Sequence, residues 1–269
     1  MRPVPDGVAV EGWPEPVRRR LAAYYTGYYR DILGIPGWRD LVAVRLGEES
    51  YEAGHLARLE TVLGRPVAGQ CLLNVGCGTG GFTVIARRAG ARAVGVDPEA
   101  DAVEICRLKA LREGGGAAAL GAVEALPFRD GSFDIVYCFS TLEHVASVPA
   151  AVREMVRVAR PGGAVYVHAP NALACYEGHY KLFWVPRMPK LLARWYLRAR
   201  QRPTGFVDTL QPLLRGRLES LFRAAGARVT RLEAAKARLP ETGSPLWPLV
   251  RVYYRLASVS PHIELLARK

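Results

Sequence analysis

The sequence predicts an α/β protein with a mostly parallel sheet and helices on both faces. Three observations carry this. From Gln70 onward, short apolar runs alternate with helix-patterned stretches, the rhythm of parallel strands joined by crossover helices. The run Leu72-Leu-Asn-Val75 passes at once into a glycine turn, Gly76-Cys-Gly-Thr-Gly-Gly81, that opens a helix. Half of the 269 residues are hydrophobic, enough for a substantial core, and the length suits one large domain with additions.

In chain order, Pro14 and Pro16 start a helix over 14–32 that carries the run Tyr24-Tyr-Thr-Gly-Tyr-Tyr29. Tyr24 and Tyr28, like Tyr25 and Tyr29, are helical neighbours four apart, so they form an aromatic face. That face either packs on the main domain or lies as a lid over a ligand. A Gly/Pro break at 34–37 precedes a second helix over 49–63, ended by Gly64 and Pro66. Residues 1–69 therefore read as an N-terminal helical extension.

Strands are predicted at 71–75, 92–96, 117–121, 133–139 and 164–168, and helices at 80–88, 99–112 and 149–159. Glu99 and Asp101 open the 99–112 helix and Arg107, Lys109 and Arg112 close it, as the helix dipole favours. Arg160-Pro-Gly-Gly163 is a tight turn. The regularity then fails from Pro170 to Gln211, a stretch rich in Trp, Tyr, Phe and Arg. Loops of that length in a compact domain usually carry function, so 170–215 reads as an insertion capping a site. A helix at 217–225, a strand at 227–233, an apolar helix at 246–257 and a strand at 262–268 complete a domain spanning 70–269.

The net charge of +12 arises from 32 Arg and 5 Lys against 25 acids, an arginine bias that weakens any inference of nucleic-acid binding. No apolar run reaches the roughly 18 residues of a membrane span, and Met1-Arg-Pro-Val-Pro-Asp-Gly7 lacks a signal-peptide core, so a cytoplasmic protein is expected. Cysteines 71, 77, 106, 138 and 175 show no C-x-x-C pair or metal-ligand spacing. No metal site is expected, and Cys71, Cys77 and Cys138 read as buried thiols.

The glycine turn by itself is ambiguous. Gly76, Gly78 and Gly81 satisfy the G-x-G-x-x-G dinucleotide pattern, with Asp97 about 20 residues on where that fingerprint wants an acid. The same strand, loop and acid also bind S-adenosylmethionine in other proteins.

Further segments narrow the choice: Asn74-Val-Gly-Cys-Gly-Thr-Gly80, Val94-Gly-Val-Asp97, Glu124-Ala-Leu-Pro-Phe128, Ser132-Phe-Asp134, Leu142-Glu-His144 and Arg160-Pro-Gly-Gly163. In this order and spacing, over about 71–171, the chain resembles the class I S-adenosylmethionine-dependent methyltransferases, especially their ubiquinone/menaquinone-biosynthesis-like branch. The resemblance implies a Rossmann-like, seven-stranded methyltransferase sheet whose last strand is antiparallel, and S-adenosylmethionine as cofactor. It implies that Asn74, Gly76, Cys77 and Gly78 pass beneath the methionine and ribose and that Asp97, followed by Pro98, accepts the ribose hydroxyls. Val123 and Glu124 would lie at the adenine edge, and Phe139 and Ser140 near the sulfonium. Two positions depart from the family pattern: Asn74 stands where an acid is frequent, and Ala122 replaces an acid that would accept from the adenine amino group. The latter loss is worth about 1 kcal/mol.

Methyl transfer from a sulfonium depends chiefly on in-line positioning, with a base needed only when the acceptor must lose a proton. His144 is one candidate base, against the alternative of a structural Glu143–His144 pair. His179, within Glu177-Gly-His-Tyr180, is the second, against an ordinary polar loop. At 187–202, Lys190, Arg194 and Arg198 form one helical stripe and Leu191, Leu192, Trp195 and Ala199 another. Such a helix rests at a membrane interface or meets a lipid-linked or acidic substrate, or else packs its apolar stripe on the core as a cap. The expected partner is a small-molecule or lipid- or sugar-linked acceptor. An RNA methyltransferase is disfavoured by the absence of an appended RNA module and of an Asn/Asp-Pro-Pro-aromatic run. A non-catalytic S-adenosylmethionine-binding protein is the third alternative.

Overall fold

The computed structural model describes residues 12–115, 118–232 and 247–269. The expected strand ends at Ala117 and Glu233 and the helix start at Leu246 lie outside the described residues. A seven-stranded sheet runs through the molecule in the order β3-β2-β1-β4-β5-β9-β8. Its strands are β1 (Cys71–Val75), β2 (Arg92–Asp97), β3 (Ala118–Leu120), β4 (Phe133–Phe139), β5 (Ala159–Pro170), β8 (Arg228–Arg231) and β9 (His262–Arg268). β9 pairs antiparallel with both β5 and β8, while the β1–β2, β1–β4, β2–β3 and β4–β5 pairs are parallel. The predicted sheet class and its antiparallel last strand are both observed.

Period-two alternation divides the core. Leu73, Val75, Val136, Cys138, Val165 and Val167 face one side, with α6 (Val148–Val158) and α9 (Arg215–Ala224). Leu72, Ile135, Tyr137, Ala164 and Tyr166 face the other, with α3 (Glu49–Leu63) and α4 (Gly81–Arg88). α5 (Ala100–Ala110) follows β2. β5 is longer than its predicted core of 164–168 because it takes in Arg160-Pro-Gly-Gly163, with a register shift between Phe133 and Ile135 of β4. Cys71 is only half-buried, since it starts its strand beside Arg92, whose Nη2 donates to its Sγ at 3.2 Å.

The N-terminal helix divides into α1 (Glu15–Thr26) and a π-helical turn, Gly27–Ile32, where the Leu33 N–H reaches back five residues to Tyr28 O at 3.1 Å. α2 (Trp38–Arg45), absent from the sequence prediction, starts after Gly37 with φ +72°. The 170–215 stretch is ordered. It holds a hairpin of β6 (Tyr176–Glu177) and β7 (Leu182–Phe183), then α7 (Lys190–Ala199) and α8 (Gly205–Thr209). Leu21, Tyr25, Tyr29 and Val42 of the N-terminal region pack with Tyr180, Ala193, Leu197 and Val207 of the insertion in one cluster. α10 (Trp247–Leu256) packs Val250 and Tyr254 on Cys175. No helix among the described residues is long and apolar enough to cross a membrane.

Lys109 of α5 is fully buried and donates to Glu48 at 2.5 Å and Glu49 at 2.9 Å. Trp13 Nε1 donates to the same Glu49 oxygen at 3.0 Å, and Thr79 Oγ1 and Tyr25 OH donate to Glu48. Burial opposes the charge on Glu48, but Lys109 and the hydroxyl donor outweigh it and hold the carboxyl below its ordinary range. Replacing Lys109 by Met strands two buried carboxylates. Guanidinium denaturation is expected to show a loss of about 3–5 kcal/mol; an unchanged midpoint would mean that this cluster does not hold the N-terminal helices in place.

Candidate active site

A cavity of about 540 Å³ opens at the carboxyl ends of β1 and β2 and just beyond β4, where open α/β sheets bind ligands. Gly76 and Gly78 form its floor. Gly76 has φ +68°, and a Cβ there would lie 2.3 Å from Thr141 Oγ1, so backbone and space both demand glycine. At Gly78, φ +50°, a Cβ would meet nothing within 4 Å: the turn leaves open room above it.

Asp97 ends β2 with its carboxylate fixed by the backbone. Oδ2 accepts from the Gly78 N–H at 2.9 Å and Oδ1 from the Glu99 N–H at 3.0 Å. Burial raises its pKa above the ordinary value despite those donors. Each oxygen keeps a lone pair for a further donor. Glu124 turns toward the start of α6, accepting from the N–H groups of Ala146 at 2.7 Å and Ser147 at 3.2 Å, a favourable place for an anion. Ser140 takes φ +50°, unusual for a residue with a side chain, and its N–H donates to His168 O at 2.8 Å. Thr141 Oγ1 donates to Val75 O at 3.1 Å, so the end of β4 is tied to both neighbouring strands.

The cavity roof comes from outside the sheet. Tyr24, Tyr25, Tyr28, Arg45 and Phe206 line it. Tyr24 OH donates to Glu99 at 2.6 Å, Tyr25 OH to Glu48 at 2.7 Å, and the Arg45 guanidinium lies 5.0 Å from the centre of the Tyr25 ring. Burial holds the Tyr24 and Tyr28 hydroxyls far above the ordinary tyrosine range, so both stay protonated.

Of the residues singled out in the sequence, Gly76, Gly78, Asp97, Pro98, Val123, Glu124, Ser140 and His144 line the cavity, as does Ala122. Asn74, Cys77, Phe139 and His179 do not. Asn74 is buried and donates to Thr83 Oγ1 of α4 at 3.0 Å. The Cys77 thiol fills the space over Gly95, where a Cβ would lie 2.6 Å from it. Phe139 stacks on His168 at 4.0 Å and on His55 at 4.3 Å. His179 stands behind His144, ring centres 5.0 Å apart, with its Nδ1 2.7 Å from Glu177 Oε1. Burial and the neighbouring His179 lower the His144 pKa to about 4, so its imidazole is neutral at pH 7. Glu143 is buried with neither carboxylate oxygen hydrogen-bonded, and burial pushes its pKa up to about 7.

Residues 73–167 match the family model described as a methyltransferase domain. The ubiquinone biosynthesis O-methyltransferase of Chelativorans sp. (strain BNC1) is 31% identical over 156 residues, covering 55% of this chain and 57% of that protein. The corresponding enzyme of Ralstonia nicotianae is 38% identical over 132 residues, covering 45% and 55%. The chain thus spans little more than half the length of the curated relatives it matches. Among solved structures, an S-adenosylmethionine-dependent methyltransferase from Mesorhizobium loti superposes with a TM-score of 0.53 at 16% identity, covering 79% of this chain and 96% of that one.

Residues 73–167 thus match a methyltransferase domain. Its cofactor is S-adenosylmethionine, and the cavity fits that group. Asp97 offers two acceptor oxygens to a diol, Gly78 leaves a cradle free of side chain, and Pro98, Val123 and Val145 give apolar walls to a flat ring. With Asp97, Glu99 and Glu124 on its walls, the cavity carries more acid than base, which suits a sulfonium. The tyrosine roof, Arg45 and Phe206 were not assigned to the site from sequence. The i, i+4 tyrosines left a lid as one of two readings, beside packing on the main domain, while Arg45 and Phe206 left no local mark.

His168 titrates in a way that can be measured. It is half-buried with Nδ1 unpaired, and burial followed by the nearby His262 lowers its pKa to about 3. The unfolded chain, with a histidine pKa near 6.5, therefore binds the proton first, and stability is lost as pH falls below about 6.5. His168→Phe keeps the ring stack and removes that proton. Urea melts are expected to show the variant gaining about 2 kcal/mol on the wild type between pH 7.5 and 4.5; parallel pH profiles would refute the assignment.

Proposed function

We propose that this protein transfers the methyl group of S-adenosylmethionine to an oxygen of a small acceptor carrying an apolar tail, taken up at a membrane surface. The observation that carries the reaction is the cavity itself. Its glycine floor and Asp97 provide for the cofactor, and the same space continues past Ser140 to His144 under the tyrosine roof, leaving room for an acceptor. The relatives named as ubiquinone biosynthesis O-methyltransferases favour oxygen as the acceptor atom and a quinone-like ring as the acceptor class.

In this reading Asp97 binds the ribose and the turn at Gly76 and Gly78 sets the cofactor's height. The chain's task is to hold the acceptor oxygen in line with the methyl–sulfur bond. Tyr24 and Tyr28 remain protonated and act as walls and donors. Neutral His144 is free to accept a proton from the acceptor hydroxyl. Calorimetry is expected to show one S-adenosylmethionine bound per chain, and Asp97→Ala to weaken it at least about tenfold through the lost charged hydrogen bonds. Absence of binding, or full affinity in the variant, would end this reading. Transfer of labelled methyl to a polyprenylated catechol, and not to RNA, checks the acceptor class.

The membrane part rests on two helices. α7 buries Ala193 and Leu197 and leaves Leu191, Leu192 and Trp195 at 71%, 59% and 72% exposure. The apolar stripe of this helix therefore faces outward instead of capping the core. α10 likewise exposes Leu249, Val252 and Leu256. The β6–β7 hairpin region joins them, with Phe183 against the α10 cluster and Trp184 edge-on to Tyr196 of α7 at 5.9 Å. Lys190, Arg198, Arg251 and Arg255 lie on the same two helices, which suits an anionic lipid surface. Leu191→Glu with Trp195→Glu is expected to abolish sedimentation with vesicles containing anionic lipid while the melting curve is kept; unchanged sedimentation would remove the membrane from the proposal.

A further inference from the structure

We propose that Cys77 and Cys106 form a reversible disulfide beneath the glycine turn, a modification site that weakens S-adenosylmethionine binding when it closes. Its effect rests on the methyl-transfer reading, whereas the bond itself concerns only two thiols of this chain. Cys77 stands between Gly76 and Gly78 of the cavity floor, and Cys106 lies in α5 behind that floor. A Cβ on Gly80 would lie 2.4 Å from Cys106 Sγ and 3.0 Å from its Cα, and the Gly80 N–H donates to Cys77 O at 3.0 Å. The turn therefore closes on Cys106, and the two side chains meet in a hydrogen bond between their sulfurs.

The surroundings of the pair prepare one sulfur for oxidation. Asn74 Nδ2 donates to Thr83 Oγ1 at 3.0 Å, so the Thr83 hydroxyl proton is left for Cys106. An acid at position 74 would claim that proton, and this chain has the amide there. The Cys77 S–H bond, joined by the Lys109 ammonium and the Thr83 hydroxyl, holds the Cys106 thiol below its ordinary range in spite of burial. The same bond, with burial, raises the Cys77 thiol, so Cys77 keeps its proton. That proton has a second acceptor in reach, Gly78 O at 3.5 Å. The other three cysteines have different partners: Cys71 meets Arg92, Cys138 meets Thr141 and Cys175 meets Tyr254.

The co-reactant is hydrogen peroxide, small enough to reach thiols that are 8% and 0% exposed by way of the open space above Gly78. The Cys106 thiolate attacks one peroxide oxygen and the O–O bond breaks, giving a sulfenic acid; the departing hydroxide takes up the proton that Cys106 had released. The Cys77 sulfur then attacks the sulfenic sulfur. The S–S bond forms, the S–O bond breaks, and the hydroxyl leaves as water with the Cys77 proton. The two thiols lose two electrons in all, and the peroxide is reduced to two waters. Closing the bond draws Cys77 out of the space it fills over Gly95 and tilts the turn, so the Gly78 N–H loses its 2.9 Å alignment with Asp97 Oδ2.

The test is made on the reduced, desalted full chain treated with one equivalent of hydrogen peroxide, alkylated in denaturant and digested. A peptide pair linking Cys77 to Cys106 is expected, with Cys71, Cys138 and Cys175 alkylated and dithiothreitol restoring both thiols. Calorimetry is expected to show the affinity for S-adenosylmethionine falling at least about tenfold in the oxidised protein and returning on reduction. By linkage the cofactor shifts the dithiol–disulfide equilibrium toward the dithiol by the same factor, which damage elsewhere would not reproduce. Cys106→Ala is expected to bind the cofactor as the reduced wild type does and to be insensitive to peroxide; if circular dichroism shows it unfolded, Cys106→Ser takes its place. Absence of the linked peptide from the wild type, or unchanged affinity in the linked protein, overturns the proposal. Failure of the reduced protein to bind the cofactor would end the methyl-transfer reading, while the peptide map still reports the disulfide, so the two failures are distinguishable.

Discussion

The buried charge cluster around Lys109 fixes the geometry on which the cavity depends. A lysine with no solvent access is tolerable only with its charge matched, and Glu48 and Glu49 supply that from the start of α3. The same carboxylates take Trp13 before α1, Tyr25 within it, and Thr79 in the glycine turn. Four separate chain segments therefore converge on α5. The roof over the cofactor cavity and the floor beneath it share one ionic anchor. A second tie closes the far side, where Arg58 of α3 and Tyr166 of β5 both donate to the buried Glu264 of β9.

The sheet was legible because each strand is a short apolar run bounded by Gly, Pro or charge, and the alternation of its faces is local information. The placement of the glycine turn and Asp97 at the cavity was legible for the same reason: it follows from backbone conformation and position at a strand end. Side-chain direction was not. Asn74 and Cys77 flank the turn in sequence, yet one is taken by Thr83 and the other by the space over Gly95. Phe139 ends β4 as expected but stacks into the histidines of the neighbouring strands. The π-helical turn and α2 escaped prediction because their residues are held by packing against the insertion, more than 130 positions away.

The insertion shows a helical pattern that spacing reveals while leaving its orientation, outward or onto the core, open. Both stripes of α7 were visible from spacing alone. A strongly apolar stripe normally faces the core, yet here Ala193 and Leu197 make that contact while Leu191, Leu192 and Trp195 face out. Ala193 and Leu197 pack with Tyr25 and Tyr29 of the N-terminal region and Tyr180 of the insertion in one cluster.

That roof also constrains the chemistry. An aromatic lid held by carboxylates is a lid of neutral hydroxyls, because burial and neighbouring acids both oppose phenolate formation at Tyr24. With His144 neutral as well, the fixed charges around the cavity reduce to Asp97, Glu99 and Glu124 against Arg45. A cationic sulfonium is favoured in such a field, and the neutral thioether left after transfer is favoured less. In the proposed reaction, the same electrostatics that draw the cofactor in therefore assist the departure of its spent form.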